Sequence, residues 1–135
     1  MRVVLDANVV FAGVGWRVEA HNCLVAMAKR RITVFATLEI LEEVRALTAE
    51  RGSKFKCKPH NLLTWYYDRV KLVEPAPLGK QRSRDAKDDP YLACALAAGA
   101  KIIVSHDDDL LALEKPFGIQ IITPRELLTK LTRMI

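Results

Sequence analysis

Cysteine is scarce in these 135 residues: Cys23, Cys57 and Cys94 are odd in number and widely spaced, which excludes a disulfide framework and a CxxC metal site. Cys94, set among alanines in "LACALAAG", reads as a small core residue. No apolar stretch approaches the length that spans a bilayer. The first one, "VVL", stops at Asp6, too short for a signal peptide, so a cytoplasmic protein with no membrane partner is expected. Neither GxGxxG nor GxxxxGKS/T occurs, so nucleotide cofactors lack a phosphate loop. Histidine is sparse too, with His21, His60 and His106 alone available for imidazole acid–base chemistry. Internal repeats and low-complexity tracts are absent.

What remains is an ordinary globular composition, half hydrophobic and 27% charged, of a length that fits one domain over residues 1–135. The formal charge of +5 leans towards a polyanionic partner, nucleic acid above all. Short apolar runs alternate with helical segments. "RVVLD" (2–6), "ITVFAT" (32–37), "VKLVEP" (70–75), "KIIVS" (101–105) and "IQIIT" (119–123) read as strands. Helices are expected over 18–31, over "LEILEEVRALTAERG" to a stop at Gly52, over 61–69, over 88–99, briefly over "DDLLAL", and from Pro124 through Met134 behind a Thr123 cap. Residues 75–87 are linker-like. The alternation predicts a three-layer α/β/α sandwich around a central, mainly parallel sheet.

In such sheets ligands bind outside the carboxyl ends of the strands. Asp6 closes the first strand, and Asp107 follows the fourth within "SHDDDLL". Helical periodicity of about 100° per residue chooses among the other acids. Ile40, Val44 and Leu47 define one apolar stripe; Glu43 lies on its flank and Glu42 points away. Leu92, Ala95, Leu96 and Gly99 define another; Asp88 lies on it and Asp89 is turned from it. Taken singly, Asp6 and Asp88 also suit helix N-caps, and Glu43 suits a boundary ion pair. Together, Asp6, Glu43, Asp88 and Asp107 form a convergent set of carboxylates that would repel one another. A hard divalent cation removes that repulsion, and oxygen donors suit Mg²⁺ or Mn²⁺. Asp109 would support the cluster, and Asp108 would face solvent.

At these residues the chain resembles the PIN-domain family of metal-dependent ribonucleases, many of them toxins of toxin–antitoxin pairs. "VVLDANVV", "EILEEVRAL", "DDPYLACALAAGA" and "IIVSHDDDLL" follow the family's four acidic motifs in order, matching Asp6, Glu43, Asp88 and Asp107 as catalytic and metal-binding residues. Asp109 takes the place of a frequent companion acid, Ser105 that of a small polar residue, and Asn8 follows Asp6 as a further supporting group. His106 departs from the glycine or asparagine of many relatives; it is a candidate substrate contact, although a lone histidine in a loop is more often a bystander. Residues 51–84 match poorly, so substrate choice is not carried over. The resemblance implies RNA as substrate, a cognate antitoxin and a homodimer.

Two basic tracks are candidate RNA contacts: Arg51, Lys54, Lys56 and Lys58 around Phe55, and Lys80, Arg82 and Arg84. Solvated charge is the plainer reading for any one of them. Trp65, Tyr66 and Tyr67 read as core or subunit contacts. A haloacid-dehalogenase-like phosphatase is the competing enzyme class, but it needs an acid two residues after its aspartate nucleophile, where "DAN" has Asn8. A non-catalytic RNA-binding module is the third reading; it would be favoured by loss of an acid, and all four positions are filled.

Overall fold

The computed structural model describes residues 1–52, 60–79, 88–113 and 115–133. Its elements run β1 (Arg2–Leu5), α1 (Ala7–Val14), α2 (Val18–Ala28), β2 (Thr33–Ala36), α3 (Leu38–Arg51), α4 (His60–Arg69), β3 (Lys71–Leu72), α5 (Asp89–Ala98), β4 (Ile102–Val104), α6 (Asp108–Leu111), β5 (Gln120–Ile122) and α7 (Pro124–Arg133). The five strands form one sheet in the order β3-β2-β1-β4-β5, every pair parallel. The expected α/β architecture is therefore observed, with helices flanking a parallel sheet. Val3, Val4 and Leu5 of the central strand are fully buried, as a strand covered on both faces requires. Each such side chain contributes about 1.5–3 kcal/mol of burial.

The strand order places β2 and then β3 to one side of β1, and β4 and then β5 to the other. The direction reverses between β1 and β4, opening a crevice at their carboxyl ends. On the flanks, α1 packs against α2 and α3, α2 against α7, and α5 against β1, β2 and β4. The α1–α2 approach depends on Gly13: a Cβ there would lie 2.9 Å from both the Ala20 carbonyl oxygen and Leu24 Cδ1.

Local signals explain most of the boundaries. Thr37 caps α3 by accepting from the Ile40 amide, and Thr123 with Glu126 forms a reciprocal capping box at α7. Gly99 ends α5 in the left-handed conformation at φ 66°, where glycine carries no Cβ penalty. Three expectations need correction. No helix was expected over 7–14; α1 forms there, with Val9, Val10 and Val14 buried as it packs against α2 and α3. The helix over 18–31 ends at Ala28, since Arg30 turns left-handed at φ 60°. The strand over 70–75 contracts to Lys71–Leu72, an exposed edge pairing with β2 alone before Pro75.

Tyr66 is fully buried, and Trp65 and Tyr67 pack partly buried against the core, as expected of core aromatics. Cys23 and Cys94 are buried thiols. Burial pushes each up to about 12, which suits inert packing residues.

Candidate functional site

The crevice between β1 and β4 receives Asp6 and Asp107, and both carboxylates are fixed by local chemistry. Asp6 is the N-cap of α1: its Oδ1 accepts from the Asn8 amide at 3.0 Å. Its Oδ2 accepts from the Ser105 hydroxyl at 2.6 Å. Ser105 Oγ in turn accepts from the Asp107 amide at 2.9 Å, so one buried hydroxyl ties the ends of the two strands together. Asp107 caps α6, its Oδ1 accepting from the Asp109 amide at 2.8 Å. The single-residue reading of Asp6 as a cap is therefore right, and it coexists with a second carboxylate oxygen turned into the crevice towards Ser105.

Asp88, Asp107 and Asp109 each offer a carboxylate oxygen within 4.8 Å of the others. Asp88 occupies the N-cap position of α5, yet its side chain makes no capping hydrogen bond there. Asp88 is also buried, where a charged group needs a partner or a cation. Asp109, given a supporting place by the sequence, thus contributes directly to this three-carboxylate group. Asp6 and Glu43 are not part of that three-carboxylate group: Ser105 joins Asp6 to the Asp107 backbone, and Glu43 is tied to the start of α1. Tyr91 is the link for Glu43, donating its phenolic proton to that carboxylate while accepting from the Ala7 amide at 3.1 Å. Burial, then the charge of Asp6 and the bond to Glu43, hold the Tyr91 phenol far above its ordinary value, so it stays protonated.

The two neighbouring glutamates of α3 lie on different faces, as helical periodicity predicts. Glu42 is exposed and pairs with Arg45 at 2.7 Å, while Glu43 is half-buried and faces α5. Asp108 is exposed, and Asn8 is exposed beside Asp6. Arg51 lies exposed at the end of α3; Lys54, Lys56, Lys58, Lys80, Arg82 and Arg84 lie outside the described residues. Sequence reasoning passed over Tyr91. Its spacing three residues after Asp88 puts both on one face of α5, and that was the available signal.

Tyr91→Phe should destabilise the protein by about 1–3 kcal/mol, because the buried Ala7 amide then loses its acceptor and Glu43 its donor. A lower urea midpoint at unchanged slope checks this; an unchanged midpoint would mean that the phenol ties nothing.

The donor set is all oxygen and all anionic, which fits a hard divalent cation. A crystal structure of PAE2754 from Pyrobaculum aerophilum shares the fold with a TM-score of 0.65 at 20% identity, over 98% of this chain and 90% of that one. No curated protein matches the chain significantly. The family model described as PIN domain matches residues 2–109, which include every acid of the crevice, and the chain belongs to the PIN-domain family.

Proposed function

We propose that the protein is a metal-dependent endoribonuclease and the toxin of a toxin–antitoxin pair. The observation that carries this reading is the meeting of Asp88, Asp107 and Asp109 at the strand-order reversal of a PIN domain. Asp88, Asp107 and Asp109 would hold Mg²⁺ or Mn²⁺, with Asp6 and Glu43 bordering them. A divalent ion bound there supplies charge neutralisation and a water acidic enough to attack phosphorus. The chain's own groups do the positioning. Ser105 orients Asp6 and the Asp107 backbone, Tyr91 holds Glu43 against α5, and the cap of α6 fixes Asp107 relative to Asp109. The excess of basic residues over acidic ones favours a polyanionic substrate, and the cytoplasm, a homodimer and a cognate antitoxin complete the reading. No described helix is long and apolar enough to cross a membrane.

The ends of the cut RNA test it. Attack by water on phosphorus leaves a 5′-phosphate and a 3′-hydroxyl, and a 2′-deoxy nucleotide at the scissile position should still be cut. A histidine mechanism would use the ribose 2′-hydroxyl and leave 2′,3′-cyclic phosphate. Purified protein incubated with RNA in Mn²⁺ should give ligatable 5′-phosphate ends, and no cutting in chelator. Cyclic phosphate ends would reject the metal-water reading.

A further inference from the structure

A cavity of ≈ 490 Å³ opens between α1, the turn into α2 and the loop after β4. We propose that it is a nucleobase subsite, seating one base of the strand beside the bond to be cut; this rests on the nuclease reading above. Phe11, Val18 and Ala20 give it apolar walls, and Arg17, Glu19 and His106 its polar groups. The volume lies within the usual range for small-ligand sites and accommodates a base with its sugar. Aromatic rings and guanidinium planes are the surfaces on which unstacked bases rest, and Phe11 and Arg17 present one of each.

The position argues for nucleic acid over a peptide. His106 of the cavity lining lies in sequence between Ser105, which bonds Asp6, and Asp107 itself, so the cavity reaches the loop that carries the acidic group. A strand whose phosphate reaches those acids must lay an adjacent nucleotide to one side. Charge complementarity favours this side. The acids repel a phosphodiester, whereas the cavity carries Arg17, and the charge of Glu19 is answered by Arg125 at 3.1 Å. Val18 is 73% exposed at its edge, an apolar surface that a base would cover.

Binding of a fluorescent single-stranded RNA of about ten nucleotides and mixed sequence tests this without requiring turnover. The full chain carrying Asp88→Asn serves as background, and an abasic residue replaces each nucleotide in turn. One position should be sensitive, its abasic strand binding about tenfold more weakly, the scale of one lost stacking contact. Arg17→Ala and His106→Ala should weaken binding of the intact strand several-fold, yet add nothing once that position is abasic. 4-Thiouridine at the same position should cross-link to Phe11 or His106. Both substituted residues are exposed or at the cavity mouth, and an unchanged melting temperature verifies the fold. Equal losses on intact and abasic strands, or no sensitive position, would overturn the subsite and leave the cavity to a protein segment. Position-dependent binding by a protein that cuts no RNA would sink the nuclease reading and keep the subsite; cutting with no base dependence would do the reverse.

Discussion

Asp107→Asn should lower RNA cleavage by roughly 100-fold or more while RNA binding stays as tight as in the wild type or becomes tighter. Substituting groups that merely orient metal ligands already costs about 10–100-fold, so loss of a ligand's charge sets a larger effect. The variant should fold, because asparagine retains the oxygen that accepts from the Asp109 amide and is as good a helix cap as aspartate. It removes one negative charge from the group formed with Asp88 and Asp109 and no basic contact, so phosphate affinity has no reason to fall. Cleavage under single-turnover conditions and anisotropy on the same RNA separate the two quantities. Cleavage at the wild-type rate would remove Asp107 from the chemistry.

The second large effect is on stability. A cation that binds the folded acids but not the unfolded chain stabilises by about 2.7 kcal/mol at 100 times its Kd. For a domain of this size that is a rise in melting temperature of roughly 10 °C. Wild-type protein should show this with Mn²⁺ or Mg²⁺, and Asp88→Asn and Asp107→Asn should lose most of it. Glu42→Gln, remote and paired with Arg45 at the surface, should keep it. Without metal the order should invert: Asp107→Asn melts no lower than wild type, since neutralising one of three crowded carboxylates relieves repulsion. Identical responses in all these proteins would dissolve the proposed cluster.

The places of Asp6 and Asp107 were legible because each follows an apolar run, and such runs become parallel strands whose carboxyl ends share a rim. Glu43 was separable from Glu42 because a helix of 14 residues has a definite inner face, which now meets Tyr91. Helix α1 was not legible. "ANVVFAGV" is apolar on nearly every side, its valines suit strands equally, and burial against two helices erases the polar face that periodicity needs. Asp109's share in the carboxylate group was undervalued for a similar reason. Its approach to Asp107 and Asp88 depends on the tight turn capped by Asp107, which no helical or strand spacing encodes. The basic tracks were read from composition alone, and apart from Arg51 they lie outside the described residues.

The pairing of β1 with β4 has a consequence for the order of events during synthesis. Val3 aligns with Ile102 and Val4 with Ile103, so the acidic rim is closed by segments from opposite halves of the chain. At the usual pace of translation, β1 waits on the order of 5–20 s for its partner strand. A nascent chain that has displayed Asp6 and Glu43 still lacks Asp107 and Asp109 until β4 and the turn after it leave the ribosome. On the proposed ribonuclease reading, that delay would be protective for a chain born on an RNA machine. A product truncated anywhere before β4 carries half a crevice and, on that reading, would not cut the messenger that encodes it.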